Sequence, residues 1–242
     1  MQARRVTWGG LRTIVVDSDQ PPTAAVIFCH GFGASGTDLV GLAPALAEMQ
    51  PELARQVLWI FPEAPLSLAE QGMPGGRAWW PLDMEELMAA INQGRMRDLR
   101  GQTPPELPAA REHLLQLLAD LEREHQLPLD RVILGGFSQG SMLATDTALY
   151  LPAAPAGLCV LSGTLLSEQI WSVAVARRRL NVFQSHGHFD QILPYENAVA
   201  LRELLTASGS DVEFVEFKGG HEIPPPVLTK LATWLVARLP RE

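Results

Sequence analysis

The sequence predicts an α/β fold: one mostly parallel central sheet of about eight strands with helices on both faces. Three observations predict it. Short unbroken apolar runs recur along the chain, as expected of strands buried on both faces. Between them lie longer segments whose apolar residues recur at spacings of three and four. The chain opens on a hairpin signal and then alternates strand with helix, the order that winds a mostly parallel sheet.

The elements follow in order. Val6 to Trp8 and Leu11 to Val16 flank Gly9-Gly10, a hairpin turn. Buried-strand runs then come at Ala24 to Cys29, Val57 to Phe61, Arg131 to Phe137, Gly157 to Ser162, Leu180 to Ser185 and Val212 to Phe217. Leu107, Ala110, Leu114, Leu117, Leu118 and Leu121 make one helical face, with Thr103-Pro104-Pro105-Glu106 read as its cap, proline start and first-turn acid. Ser141 to Leu149 reads as a helix. Ala198, Leu201, Leu204, Leu205 and Ser208 form another stripe, opened by Pro194 and closed by Gly209. A last helix opens at Pro224 to Pro226 and carries Leu228, Leu231, Leu235 and Leu239. No repeat or linker interrupts residues 1–242, so a single domain is expected.

One stretch breaks the alternation. Residues 63–102 hold five glycines, several prolines, Trp79-Trp80 and one helix from about Met84. Forty residues without a clear strand is long for a connection, and such loops often serve as lids or binding walls.

Bulk properties exclude several classes. A net charge of −8 argues against a nucleic-acid partner, which calls for a basic patch. Cys29 and Cys159 lie inside apolar runs, which suits buried thiols rather than a disulfide framework. The N-terminus lacks an apolar signal region, and no stretch approaches a membrane span. A soluble, cytoplasmic protein is expected, with its oligomeric state open between monomer and homodimer.

Gly136-Phe137-Ser138-Gln139-Gly140 matches G-x-S-x-G, and its context is what gives it weight. It follows the strand Val132-Ile133-Leu134 and precedes a helix. A turn this tight strains the central residue and brings strand against helix, so glycines at 136 and 140 remove side chains that would collide. Ser138 is left exposed at a helix N-terminus, where unpaired N–H groups face it. This is the candidate nucleophile.

A serine hydroxyl needs a base beside it. In folds that carry the serine on a G-x-S-x-G strand-to-helix turn, the acid and then the histidine follow it along the chain. His113 and His125 lie off the apolar face of their helix, as surface positions. His30, His186 and His188 cannot follow an acid that itself follows Ser138 on a separate strand. His221, in the turn Gly219-Gly220-His221, remains. Between Ser138 and His221 lie Asp146, Glu168, Asp190, Glu196, Glu203, Asp211, Glu213 and Glu216. Asp190 follows a strand by a few residues, at the edge where ligands bind in parallel sheets. Asp146 is two turns into the nucleophile's helix, and Asp211 precedes its strand. The expected triad is Ser138, Asp190 and His221.

His30-Gly31-Phe32-Gly33 ends the strand Ala24 to Cys29, and its glycines let backbone approach the site. The backbone N–H groups of Phe32 and Gln139 are the expected oxyanion donors, with His30 a structural hydrogen-bonding residue. Two other patterns compete. Gly31 to Gly36 spells G-x-G-x-x-G, with Glu63 as a ribose ligand, which would make an NAD-dependent oxidoreductase. His186-Gly187-His188-Phe189-Asp190 spells H-x-H-x-D, a metal-like string without a second ligand cluster. Neither explains Ser138 with His221, so no cofactor and no metal are expected.

Together, Phe28 to Gly33, Pro62-Glu63-Ala64-Pro65, Gly135 to Gly140, His186-Gly187 with Asp190 and Pro194, and Gly220-His221 resemble the phospholipase/carboxylesterase family of α/β-hydrolases, which includes acyl-protein thioesterases. The resemblance covers nearly the whole chain. It implies the α/β-hydrolase fold and a serine carboxylesterase acting on a small-molecule ester or acyl substrate, with thioesters and lysophospholipids within the same chemistry. It maps the triad onto Ser138, Asp190 and His221 and the oxyanion donors onto Phe32 and Gln139. The sequence departs from thioesterase-type members at Gly72 to Pro81, a segment similar to their pocket wall. Trp79 and Trp80 there are substrate-contact candidates, or else anchors of the loop on the core. A non-catalytic binding protein on the same scaffold is the competing class.

Overall fold

The computed structural model describes residues 1–18, 20–93 and 98–240. Residues 94–97 of the 63–102 excursion thus lie outside the described residues. In chain order the strands are β1 (Gln2–Trp8), β2 (Leu11–Asp17), β3 (Ala24–Cys29), β4 (Val57–Pro62), β5 (Leu66–Ser67), β6 (Arg77–Ala78), β7 (Val132–Phe137), β8 (Gly157–Leu161), β9 (Asn181–Gly187) and β10 (Asp211–Phe217). The helices are α1 (Leu42–Met49), α2 (Pro51–Gln56), α3 (Met84–Asn92), α4 (Leu107–His125), α5 (Gln139–Tyr150), α6 (Glu168–Val175), α7 (Tyr195–Ala207) and α8 (Pro225–Val236).

Among the described residues, eight strands form one sheet in the order β1-β2-β4-β3-β7-β8-β9-β10. β1 and β2 are antiparallel, as are β2 and β4; every pairing from β4 through β3 to β10 is parallel. Alternate residues of the central strands enter two cores. Ala25, Ile27 and Cys29 pack under α4, α5, α6 and α7, whereas Ala24, Val26 and Phe28 pack against α1, α2 and α8. That explains the unbroken apolar runs: neither face of these strands meets water. Both cysteines are buried and unpaired.

The predicted α4 stripe is buried at all six positions. Its cap is not as expected: the helix starts at Leu107 with Glu106 as N-cap and no side-chain capping bond, so Thr103 does not cap it. A missing cap costs about 1 kcal/mol, while each buried leucine stabilises by about 1.5–3 kcal/mol. Tertiary burial decides where this helix forms. β1 is also longer than the apolar pattern indicates, because main-chain pairing from Gln2↔Asp17 to Trp8↔Leu11 holds it although its side chains are mostly exposed. α1, α2 and α6 are eight, six and eight residues long, too short to show helical periodicity. Within the excursion, β5 and β6 pair as a separate small sheet, so that region is not wholly strandless.

Candidate active site

Ser138, Asp190 and His221 come from the carboxyl ends of β7, β9 and β10, which run parallel and therefore open on one edge. At the β7–α5 junction Ser138 has φ 53° and ψ −122°, a conformation few L-residues adopt. Close approach makes the flanking glycines necessary. A Cβ at Gly140 would lie 2.1 Å from the Cys29 carbonyl oxygen, and one at Gly136 would lie 2.5 Å from the Gly140 carbonyl carbon.

The acid and the imidazole meet because β9 and β10 are neighbours in register, Gly187 opposite Phe217. Their following loops lock together: His188 N–H donates to the Phe217 carbonyl at 2.9 Å and Phe189 N–H to the Gly219 carbonyl at 2.9 Å. A side chain at Gly187 would meet the Gly220 carbonyl oxygen at 2.3 Å. His221 Nδ1 then lies 2.7 Å from Asp190 Oδ2. Asp190 is 1% exposed, and its Oδ1 accepts N–H groups of Ile192 and Leu193, both at 2.9 Å. Burial works against its ionisation, but the bond to His221 and its charge, with the Leu193 amide and His186, outweigh it and hold the carboxyl below its ordinary range. Ser162, at the end of β8, steadies the histidine loop by donating its hydroxyl to the Glu222 carbonyl at 3.0 Å.

Ser138, His221, Phe32 and Gln139 all line one cavity of about 460 Å³. Ser138 makes no direct hydrogen bond to His221 among the described residues. The backbone N–H groups of Phe32 and Gln139 likewise have no protein acceptor among the described residues. Most of the cavity wall is apolar, including Trp80, Leu99, Met142, Leu166 and Leu193.

The two tryptophans part company. Trp80 faces the cavity. Trp79 is 1% exposed and lies behind the wall, its indole N–H donating to the His30 carbonyl at 2.9 Å. The Gln139 side chain grips this segment: its Oε1 accepts the Trp79 amide and its Nε2 donates to the Trp80 carbonyl, both at 2.9 Å. Gly33 N–H donates to the Arg77 carbonyl and Arg77 N–H to the Ala34 carbonyl, both at 2.9 Å. The excursion is thereby pinned to the site and forms part of its wall.

Other candidates have structural positions. Asp146 is buried in an ion pair with Arg111 at 2.7 Å and accepts the Trp171 indole N–H at 2.9 Å, linking α5 to α4 and α6. His113 is half-buried and holds the Gly9 carbonyl at 2.7 Å, so it ties α4 to the first hairpin. The G-x-G-x-x-G loop does not open a helix, since α1 begins only at Leu42, and Glu63 is bound by Arg77 at 3.1 Å and by Arg12. His186 is buried with Nε2 between the Leu193 carbonyl at 2.9 Å and Asp190 at 3.3 Å. No group of three or more metal-ligating side chains comes together among the described residues. Nor is any described helix long and apolar enough to cross a membrane. The side-chain work of Gln139 and the deep wall residues Met142, Leu166 and Leu193 carry no local sequence signal, because they serve through contacts distant in the chain.

Residues 12–238 match the family model described as Phospholipase/Carboxylesterase. The chain is 28% identical over 243 residues to acyl-protein thioesterase 1 of Mycosarcoma maydis, covering 96% of this chain and 99% of that protein. It is 26% identical over 237 residues to acyl-protein thioesterase 1 of Saccharomyces cerevisiae, covering 93% and 96%. Among solved structures, esterase PE8 superposes with a TM-score of 0.78 at 24% identity, covering 99% of this chain and 100% of that one. A carboxylesterase from Mesorhizobium loti gives 0.73 at 16% identity, covering 98% and 99%. Those two likenesses speak for the fold. With the family match spanning almost its full length, the chain belongs to the phospholipase/carboxylesterase family and has the α/β-hydrolase fold.

Proposed function

We propose that the protein is a serine esterase that hydrolyses carboxylic esters with an apolar acyl group through Ser138, His221 and Asp190. One observation carries the reading: a serine in strained backbone shares an apolar cavity with an imidazole that a buried carboxylate grips at 2.7 Å. Ser138 attacks the ester carbonyl while His221 Nε2 takes its proton. Asp190 fixes the tautomer that leaves Nε2 free and stabilises the imidazolium. The N–H groups of Phe32 and Gln139 hold the oxyanion, each worth roughly a hundred- to thousand-fold in turnover. His221 then protonates the leaving alcohol and activates the water that releases the acyl group. The relatives' names make thioesters a neighbouring substrate class, and the same steps apply to them.

Ser138→Ala tests this. Hydrolysis of a short p-nitrophenyl ester is expected to disappear while circular dichroism stays unchanged; turnover retained at a tenth of the starting rate or more, about 1.4 kcal/mol in barrier, would sink the assignment. A fluorophosphonate probe is expected to label Ser138. No adduct there favours a binding protein on this scaffold.

A further inference from the structure

His30 ends up buried, 2% exposed, just after β3, and the proton transfers above do not use it. Its two ring nitrogens have different partners. The Ala64 N–H donates to Nε2 at 3.0 Å, so Nε2 carries no proton. The single proton of a neutral imidazole is then on Nδ1, and Nδ1–H donates to the Gly31 carbonyl at 2.8 Å. Trp79 holds the His30 backbone carbonyl through its indole N–H, and the centroids of the two rings lie 5.6 Å apart. Burial, helped by Arg77, disfavours the charged ring and prevails over the Gly31 bond and the carboxylates of Asp38 and Glu63.

The Gly31 C=O and the Phe32 N–H belong to one planar peptide unit, and in a trans peptide they point opposite ways. Holding the carbonyl on the imidazole side aims the amide away from it. Ser138 lies close by, since a Cβ at Gly31 would stand 3.3 Å from Ser138 Cβ, and Phe32 and Ser138 line the same cavity.

We infer that His30 is a positioning residue: in a tautomer dictated by Ala64, it orients the 31–32 peptide so that the Phe32 N–H faces the oxyanion. This rests on the esterase reading. The Ala34 N–H also reaches the Gly31 carbonyl, at 3.3 Å, so losing the imidazole loosens the peptide without freeing it. The expected loss is therefore smaller than for removing an oxyanion donor outright.

Two conservative variants separate the two ring contacts. His30→Gln can still offer an acceptor toward Ala64 but has no donor where Nδ1 stood. His30→Asn places an N–H there and gives up Ala64. With p-nitrophenyl butyrate, His30→Gln is expected to lower kcat by about 10- to 100-fold with KM within about threefold, and to weaken a trifluoromethyl ketone inhibitor in proportion. His30→Asn is expected to turn over at least about fivefold faster than His30→Gln although it unfolds at lower urea. Equal losses of kcat in both variants, or a Gln variant within about threefold of the unsubstituted enzyme, overturn the inference. Should the Gln variant not fold, nitrogen NMR of the unsubstituted protein decides: at pH 8, an Nδ1–H tautomer of His30 supports the assignment and an Nε2–H tautomer overturns it. An unsubstituted protein that hydrolyses no ester removes the esterase reading and this inference with it. An active enzyme indifferent to His30→Gln removes only the latter.

Discussion

Asp190 shows how much one buried side chain fixes. Its Oδ1 is committed to two backbone amides, which leaves Oδ2 for His221. An asparagine here would keep its oxygen on those amides and turn its NH₂ toward His221 Nδ1. The imidazole would then carry its proton on Nε2, where it cannot accept one from Ser138. Asp190→Asn is therefore expected to cut kcat by about 10⁴-fold with little change in folding, measured by steady-state ester hydrolysis; a loss below about tenfold would show that the tautomer is set by something else. The choice of Asp190 and His221 was legible in the sequence by elimination. His186 was visible only as part of the H-x-H-x-D string; that its ring sits against Asp190, and in no metal-ligating cluster among the described residues, follows from the fold of the segment after β9.

At the scale of elements, the junction of β3, β7 and α5 carries the most constraint. β7 lies beside β3 with Gly136 opposite Cys29, and α5 starts so close to the end of β3 that Gly140 has no room for a side chain. The neighbouring atoms are backbone carbonyls, which cannot swing aside. Gly140→Ala is expected to destabilise the protein by about 1–3 kcal/mol or more, read from the urea midpoint, and to lower kcat in the folded fraction by displacing the loop that bears Phe32. Unchanged stability would mean that α5 can slide along the sheet. G-x-S-x-G announced this junction because the glycines are a local requirement. The excursion behaves differently: its course is fixed by Gln139, Gly33 and Ala34, far from it in sequence, so its small sheet and the separate roles of Trp79 and Trp80 had no local signature.

Over the whole molecule, the two cores share the same strands, and we propose that residues 1–242 act as one domain. Burial also gives the stability a pH dependence. His30, His125 and His186 all have pKa values held below the ordinary histidine range, chiefly by desolvation. In the unfolded chain these groups charge as pH falls through about 6.5, while the folded protein resists taking up the protons. The unfolded state then binds more protons, so this stability is present above the ordinary histidine pKa and is lost as pH falls below it. Asp190, held low, adds a further loss in the acidic range where carboxylates protonate. The urea midpoint is expected to be lower at pH 5.5 than at pH 7.5; equal midpoints would contradict neutral rings at the buried His30 and His186 and the half-buried His125.

The sequence by itself determined the strand runs, the long helices and the strained serine turn, because burial on both faces, helical periodicity and glycine-only turns are written in neighbouring residues. It also narrowed the candidate acid and the candidate base to one residue each, because few carboxylates and histidines after Ser138 fall at the right edge of the sheet. Only the tertiary structure decided which strands lie side by side, that the β9 and β10 loops lock together, and which tryptophan meets the cavity. Those outcomes depend on contacts between distant segments, whose geometry is set by the packing of the finished sheet.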